Sequence, residues 1–261
     1  MSTAQAIYET DGPLATLTFN RPEARNAMTW EMYDALVATC DRVDADAALR
    51  VLILRGAGGK AFVSGTDITQ FQSFRDRTDG IRYEERLDRV LDRLEHVTKP
   101  VLAQVQGVAA GGGCGIVLAA DLCVATPEST FGIPIARTLG NCQSGATYSR
   151  MVDAFGPRRT KELIFTGRMM RTDEAVSAGL VNQIVDASQI ESVVHQLASD
   201  IALNAPLTIR ATKELVRRIA AMRRLGPGAD ADAVEMCYGS QDFREGVTAF
   251  MEKRKPKWSG K

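Results

Sequence analysis

The sequence predicts an α/β fold in which strands and helices succeed one another along most of the 261 residues. Three observations carry this prediction. Short apolar or alternating segments, typical of strands, recur between amphipathic segments typical of helices. Strand, helix and strand follow each other closely, so we expect stacked β-β-α units rather than separate strand and helix halves. The last third changes character and shows mainly helical patterns.

The first elements are predicted as follows. Leu14 to Phe19 alternates like a half-buried strand, and the turn-rich segment from Asn20 to Asn26 ends it. Thr29 is placed to cap a helix whose apolar residues recur at helical spacing. Val51 to Leu54 is typical of a buried strand, and a charged helix is expected from about Ile81 to Glu95.

A glycine run marks the middle of the chain. Gly111-Gly112-Gly113-Cys114-Gly115 lies between an apolar strand pattern, Val101 to Gly107, and an apolar helix pattern, Ile116 to Ala120. Strand patterns at 121–125 and 129–135 follow. Glycines at such a junction let a ligand approach the backbone closely, and the helix start directs N–H groups at it. The run therefore predicts an oxyanion hole or a phosphate site.

The last third is predicted to be largely helical. We expect helices at about 143–155, 158–165, 188–203, 207–223 and 241–253. The Asn204-Ala205-Pro206 segment interrupts this series, which favours a soft boundary near residue 200. We therefore predict a core from 1 to 200 and a helical region from 201 to 261.

Composition excludes several classes of function. Hydrophobic residues make up 45% of the chain and charged residues 25%, which is ordinary for a globular protein. Lys plus Arg and Asp plus Glu both number 32, so the chain has no basic excess and nucleic acid is not an expected partner. The sequence contains no nucleophile elbow, phosphate-binding loop or zinc-spaced Cys/His set, so a metal is not expected.

Cysteine usage and the apolar segments bear on location. The five cysteines form an odd set without a C-x-x-C pair, which favours free thiols in a reducing compartment. The first residues show neither a basic patch nor an apolar signal region, and no segment is apolar enough to predict a membrane span. We expect a cytoplasmic protein without a membrane partner.

Several motifs, taken together and in their order, resemble the crotonase (enoyl-CoA hydratase/isomerase) superfamily. The resemblance runs from about residue 5 to 258 and rests on Arg21-Pro22, Asn26-Ala27-Met28, Gly59 to Asp67, Lys99-Pro100-Val101, Gly107 to Cys114, Asp121, Phe131 to Pro134 and Gly246 to Trp258. It implies a crotonase-type spiral of β-β-α units with a C-terminal helical trimerisation region, and hence a homotrimer or a hexamer. It also implies an acyl-CoA thioester as substrate, with coenzyme A as part of that substrate and no separate cofactor.

The resemblance assigns roles to individual residues. The backbone N–H groups of Thr66 and Gly112 match the pair that holds the thioester oxygen in this family. The remaining matched positions are expected to contact the substrate or its CoA portion, with the tail residues supplied by this subunit or by a neighbouring one. They are Ala24, Arg25, Ser64, Asp67, Ile68, Gly111, Phe250 and Lys253.

Two positions depart from the family pattern. Hydratases that this chain resembles carry one glutamate after Gly-Gly-Gly-Cys and another after Phe-Gly-x-Pro, where this chain has Gly115 and Ile135. A positioned general acid or base contributes about 10²–10⁴-fold to rate. Efficient hydration of a simple enoyl-CoA is therefore not expected unless another group substitutes.

Few side chains could replace those glutamates. Glu84, Glu85 and Asp88 lie on the charged helix, whose charge density favours a solvated face. Cys142 precedes a predicted helix, whose N-terminus would lower the pKa of a thiol. It stands where the similar 4-chlorobenzoyl-CoA dehalogenases have a nucleophilic aspartate, although free cysteines more often act as small buried hydrophobes. Arg137 could pair with an acyl carboxylate, but a structural ion pair is the favoured role.

Three hypotheses about function remain open on the sequence. The leading one is an enoyl-CoA hydratase/isomerase-type enzyme that stabilises a thioester enolate in a backbone oxyanion hole. The second keeps the fold but changes the reaction to isomerisation, thioester hydrolysis or dehalogenase-like substitution. The third is a protein that binds acyl-CoA without catalysis.

Overall fold

Two β-sheets organise the chain in the computed structural model, which describes residues 4–226 and 228–261. The larger sheet has the strand order β1 (Ala6–Asp11), β2 (Leu14–Phe19), β3 (Val51–Gly56), β5 (Val101–Val105), β7 (Leu122–Ala125) and β10 (Gln183–Ile184). The smaller sheet has the order β4 (Ala61–Val63), β6 (Val108–Ala110), β8 (Thr130–Gly132) and β9 (Met170–Arg171).

Helices follow the strands along the chain. They are α1 (Trp30–Ala45), α2 (Arg77–Glu95), α3 (Gly112–Ala119), α4 (Ile135–Thr138), α5 (Gly145–Thr166), α6 (Thr172–Ala178), α7 (Ile190–Ala202), α8 (Pro206–Ala221), α9 (Ala231–Tyr238) and α10 (Gln241–Met251). Short 3₁₀ turns cover Pro22–Ala24 and Ile68–Ser73.

Successive units of the chain place one strand in each sheet. In three consecutive units the first strand, β3, β5 or β7, pairs in parallel within the larger sheet. The second strand, β4, β6 or β8, pairs in parallel within the smaller one. This arrangement confirms the predicted α/β class and its stacked β-β-α units. The antiparallel pair of β1 and β2 extends the larger sheet at its edge.

Local signals in the sequence account for many boundaries. The Thr29 hydroxyl accepts a hydrogen bond from the Met32 N–H at 3.3 Å, which caps α1 as predicted. Helix α2 begins at Arg77 rather than near Ile81, because Asp76 and Asp79 form a capping box ahead of it. Strand β1 and helices α6 and α9 had no counterpart in the sequence prediction.

The C-terminal helices differ in how they pack. Helix α7 packs against the larger sheet through Ile190, Val194 and Ala198. Helix α8 buries no residue and exposes Leu215 and Ile219. Helices α9 and α10 return to α2, to α4 and to the 68–73 turn. No described helix is long and apolar enough to cross a membrane. The boundary near residue 200 stays a prediction.

Candidate active site

A cleft of about 790 Å³ gathers segments that are far apart in the sequence. It is lined by the predicted binding residues Ala24, Arg25, Ser64, Thr66, Asp67, Ile68, Gly111, Gly112, Phe250 and Lys253. Phe250 and Lys253 reach it from α10 and the residues after it in the same chain, so the cleft receives these tail residues from its own subunit.

Hydrogen bonds hold the first two of these segments together. Asn26 is fully buried, and its side-chain amide donates to the carbonyls of Ala57 at 3.0 Å and Ala61 at 2.8 Å. The next contact is a bridge in which the Met28 N–H donates to the Gly65 carbonyl at 2.8 Å. The 20–28 loop therefore lies fixed beside the segment that carries Thr66.

Two residues that line this cleft have backbone N–H groups without an acceptor in the described part of the chain. Gly112 is the first residue of α3, so its N–H has no partner within the helix. Neither it nor the N–H of Thr66 donates to any residue in the described part of the chain. A Cβ added to Gly112 would lie 3.5 Å from the Thr66 hydroxyl oxygen, so the two loops are in contact. The site thus offers two N–H groups without a described acceptor, and the one on Gly112 lies at a helix start, where negative charge is favoured.

Three hydroxyl groups form a chain beside these donors. The Thr66 Oγ1 lies 2.8 Å from the hydroxyl of Tyr33 and 2.7 Å from that of Tyr83. Tyr33 is fully buried, whereas Tyr83 lines the cleft. Burial raises the pKa of both tyrosines well above the usual range. Both are therefore protonated at neutral pH.

The inner end of the cleft combines apolar walls with two buried amides. Ile135 and Leu139 line it together with Asn141 and Gln143, which are 7% and 6% exposed. The Asn141 side-chain N–H donates to the Tyr238 hydroxyl at 3.0 Å. The Asn141 Oδ1 is buried and has no hydrogen-bond partner among the described residues. An unmet acceptor of this kind costs about 1–3 kcal/mol unless a ligand or water satisfies it.

Glu84 lies behind this end of the cleft and is 2% exposed. Its carboxyl oxygens accept hydrogen bonds from the Tyr238 hydroxyl at 2.5 Å and the Ser144 N–H at 2.9 Å. Burial raises the pKa of Glu84 to about 8, and these two hydrogen bonds only partly oppose the shift. The expectation of a solvated face was wrong for Glu84, because α9 covers this side of α2. It was right for Glu85, which is exposed.

Asp88, one turn further along α2, is half-buried and accepts a hydrogen bond from the Ser144 hydroxyl at 2.6 Å. This contact links α2 to the start of α5, where Ser144 is the N-cap. Asp88 is not among the residues that line the cleft. Asp88 therefore has a structural role, because it joins α2 to α5.

The two positions singled out by the family pattern differ in their surroundings. Ile135 lines the cleft. Gly115 does not; it is buried in α3, and a Cβ added there would lie 3.1 Å from the Leu91 Cδ1 of α2. Among the described lining residues the carboxylates are Glu23 and Asp67. Asp67 forms an ion pair with Arg21 at 3.1 Å, so it serves the loop structure.

Cys142 lies outside the cleft, in a hollow of about 400 Å³ that it shares with Tyr148 and Asp230. Its thiol lies 3.3 Å from the Gln143 carbonyl and 3.9 Å from the Tyr148 hydroxyl. Hydrogen bonding with Cys237, followed by burial, raises the pKa of the Cys142 thiol. The expected lowering of this pKa by the helix N-terminus was wrong, so Cys142 has neither the place nor the ionisation of a nucleophile in this cleft.

Charged side chains at the cleft mouth are available to a ligand. Arg25 and Lys253 line the mouth, and neither forms an ion pair within residues 4–226 and 228–261. Arg137 is exposed and also forms no ion pair with a described residue, contrary to the favoured structural role.

Sequence reasoning missed several polar groups in and around the cleft. Tyr33, Tyr83 and Tyr238 belong to no motif, and only their rings' apolar character could have been recognised. Asn141 and Gln143 flank Cys142 in a segment that did attract attention. The sequence drew attention to the right segment. The residue chosen from it, Cys142, lies outside the cleft.

Known proteins resemble this chain along nearly its whole length. Residues 9–261 match the sequence model of the enoyl-CoA hydratase/isomerase family. The chain is 32% identical to a short-chain-enoyl-CoA hydratase of Clostridium acetobutylicum, over 98% of this chain and 97% of that protein. It is also 32% identical to a crotonyl-CoA hydratase of Syntrophomonas wolfei, with full coverage of both. A solved methylmalonyl-CoA decarboxylase in complex with 2-nitronate-propionyl-CoA superposes with a TM-score of 0.89 at 27% identity, again over 100% of both chains.

Proposed function

Since the chain belongs to the enoyl-CoA hydratase/isomerase family, we propose that its cleft binds an acyl-CoA thioester with the carbonyl oxygen between the N–H groups of Thr66 and Gly112. The single observation that carries the proposal is this pair of backbone donors, which share one cleft and lack an acceptor in the described chain. A thioester carbonyl gains negative charge when an enolate forms. Preorganised donors stabilise that charge by about 2.7–4 kcal/mol for each donor.

The cleft mouth supports the CoA part of this proposal. Arg25 and Lys253 offer cations without a described counter-ion, and the phosphates of CoA are anions that such groups bind. CoA would arrive as part of the substrate, and no separate cofactor is invoked.

The chemistry proposed for the acyl group proceeds without a carboxylate base. The resemblance places hydratase glutamates at 115 and 135, and the structure has a buried glycine and an apolar wall there. The inner cleft offers hydroxyl and amide groups instead. We therefore propose a reaction through a thioester enolate other than efficient hydration; in an isomerisation, a group other than a side chain at 115 or 135 would take the α-proton and return a proton to the γ-carbon.

Decarboxylation of a β-carboxyacyl-CoA is the second candidate, favoured by the absence of carboxylates from the described inner wall. Loss of CO₂ leaves its bonding electron pair on the α-carbon, so an enolate forms without any base. An apolar surrounding destabilises the substrate carboxylate and the oxyanion donors stabilise the product enolate. The similarity to the methylmalonyl-CoA decarboxylase structure supports this candidate.

Turnover of defined thioesters tests these candidates. The protein is incubated with crotonyl-CoA, vinylacetyl-CoA or methylmalonyl-CoA, and mass spectrometry follows the products. The change in Tm that each acyl-CoA causes is measured in parallel. A Tm increase with product from one of the last two supports the proposal. A Tm increase without any product favours the non-catalytic hypothesis, and no Tm change contradicts acyl-CoA binding.

We also propose that the protein is a cytoplasmic homotrimer or hexamer. The support is the apolar face of α8, where Leu207, Leu215, Val216, Ile219 and Met222 are exposed in one chain. Light scattering of Ile219→Glu tests it: a buried charge in the contact is expected to give a smaller species than the wild type. A wild-type monomer would contradict the proposal.

A further inference from the structure

The hydroxyl chain beside the two backbone donors contains more O–H protons than hydrogen bonds. Its three hydroxyls, on Tyr33, Thr66 and Tyr83, share two hydrogen bonds. Each hydrogen bond uses one O–H proton, so one O–H is left over. Neither the Tyr33 hydroxyl nor the Tyr83 hydroxyl has another hydrogen-bond partner within the described chain.

The left-over proton belongs on the cleft side. Tyr33 is fully buried, so its O–H must donate to the Thr66 oxygen to be satisfied. The Thr66 O–H then donates to the Tyr83 oxygen, and the Tyr83 O–H is the free one. If Tyr83 instead donated to Thr66, the Thr66 O–H would be free. Thr66 and Tyr83 both line the cleft. A phenol is a far stronger acid than an aliphatic alcohol, so the Tyr83 hydroxyl is the better proton donor of the two.

We propose that Tyr83 is the proton donor to the α-carbon of the thioester enolate, with Thr66 and Tyr33 as positioning residues. This inference rests on the proposed function, because it needs an enolate in the cleft. Tyr83 would supply the acid that Gly115 and Ile135 cannot supply.

The proton transfer balances within the site. The enolate electron pair forms the new C–H bond, the Tyr83 O–H bond breaks, and the oxyanion returns to a thioester carbonyl. The Tyr83 phenolate keeps the hydrogen bond from the Thr66 hydroxyl and recovers a proton from water when the product leaves. An enolate α-carbon is a much stronger base than a phenolate, so the transfer is downhill even though burial raises the pKa of Tyr83.

Packing fixes the direction of the donor. The Tyr83 ring lies edge-on to Phe71 with 4.9 Å between centroids and to Trp30 with 5.7 Å. Such contacts restrict the ring to one orientation. The carboxyl groups near the cleft are less well placed for this proton transfer. Glu84 lies behind Tyr238. Glu23 and Asp67 belong to the loops that carry Ala24 and Ser64, which are expected to contact the substrate or its CoA portion.

The test compares two ligands of the intact protein. Propionyl-CoA measures ground-state binding, and 2-nitronate-propionyl-CoA carries a negative charge that resembles the enolate. Tyr83→Phe keeps the ring, so propionyl-CoA affinity and Tm are expected to stay near wild type. Affinity for the nitronate is expected to fall by about tenfold to a hundredfold, the worth of a hydrogen bond to a charged group.

Matched variants sharpen the comparison. Tyr33→Phe leaves Thr66 and Tyr83 hydrogen-bonded, so the free O–H persists and the loss of nitronate affinity is expected to be smaller than in Tyr83→Phe. Tyr8→Phe, on β1 and outside the cleft, controls for the substitution itself.

The outcomes separate the two proposals. Nitronate affinity that is unchanged in Tyr83→Phe, while the wild type prefers nitronate over propionyl-CoA, overturns the role of Tyr83 and leaves the oxyanion hole standing. A wild type that binds neither ligand, or binds both equally, contradicts the proposed function itself.

Discussion

The two ends of the cleft are built in different ways. The end that holds Thr66 and Gly112 uses backbone N–H groups from two loops, each fixed by nearby backbone hydrogen bonds. The inner end uses side chains from α2, the 139–144 segment and α9, and it includes a buried acid and an amide oxygen without a described partner. A backbone site can be broken only by steric change, whereas a site made of side chains can be altered by one substitution.

The largest effect is expected from a methyl group on Gly112. A Cβ there would lie 2.3 Å from the Tyr33 hydroxyl, which no real contact allows, so either the start of α3 or the buried Tyr33 side chain must move. Misplacing one oxyanion donor costs about 10²–10³ in rate. Gly112→Ala is therefore expected to lose turnover, or nitronate affinity, by about that factor.

Gly115→Ala is the matched control for this substitution. Its Cβ would meet only the Leu91 side chain, with Cδ1 at 3.1 Å and Cδ2 at 3.8 Å, and these atoms are the far end of a flexible side chain. Gly115→Ala is expected to keep wild-type activity, with a Tm close to wild type. Equal losses in the two variants would show that α3 tolerates no methyl group, and would remove the argument for a specific donor at 112.

The inner end predicts a pH dependence of stability that originates at Glu84. The Glu84 pKa is about 8 in the folded protein and near 4.5 when unfolded. Between these values the unfolded chain has released a proton that the folded chain keeps, so the free energy of unfolding falls as pH rises from 5 to 8. At about 1.36 kcal/mol for each pKa unit, the loss is roughly 2–4 kcal/mol.

Urea unfolding at pH 5 and pH 8 measures this effect. Glu84→Gln cannot ionise and is expected to lose less stability over this range than the wild type, although it loses the hydrogen bond from Ser144 at both pH values. Glu85→Gln, at the exposed neighbour, is expected to follow the wild type. If all three proteins lose the same free energy of unfolding between pH 5 and pH 8, Glu84 does not titrate in this pH range.

The smallest effect is expected at the mouth of the cleft. Lys253→Gln removes one exposed cation and is expected to weaken acyl-CoA binding by about two- to fivefold at low salt, and by less at high salt. Lys255→Gln, exposed and outside the cleft, is the control. Calorimetric titration with CoA thioesters measures both, and an equal change in both variants would indicate only a general charge effect.

Sequence patterns predicted the fold well, and they named residues that the structure brings together in one cleft. The strand, cap and glycine motifs are local, so each specifies an element within a few residues. Strand β2 forms where the alternation predicted it, but five of its six residues are buried rather than half of them, and the strand lies inside the larger sheet between β1 and β3. The same patterns failed at the 139–144 segment. Asn141 lines the cleft and Cys142 lines the neighbouring hollow, because successive residues of a non-helical segment point to different sides.

Glu84 shows the other limit of the sequence. Its segment, Arg82-Tyr83-Glu84-Glu85-Arg86, is dense in charge and resembles a solvated helix face. Helix α9, about 150 residues later in the chain, covers Tyr83 and Glu84 but leaves Glu85 exposed. Burial of a charged residue depends on that distant contact, which no local pattern records.

The sequence by itself determined the α/β class, the order of the β-β-α units, the family and the two loops that carry Thr66 and Gly112. These features follow from short-range periodicity, turn chemistry and motifs within contiguous segments. The tertiary structure alone decided which polar side chains meet at the cleft: Tyr33 and Tyr83 on either side of Thr66 at the donor end, and Glu84 behind Tyr238 at the inner end. The physical reason is that hydrogen-bond partners and burial are set by contacts between distant elements, and those contacts determine which group can hold or give a proton.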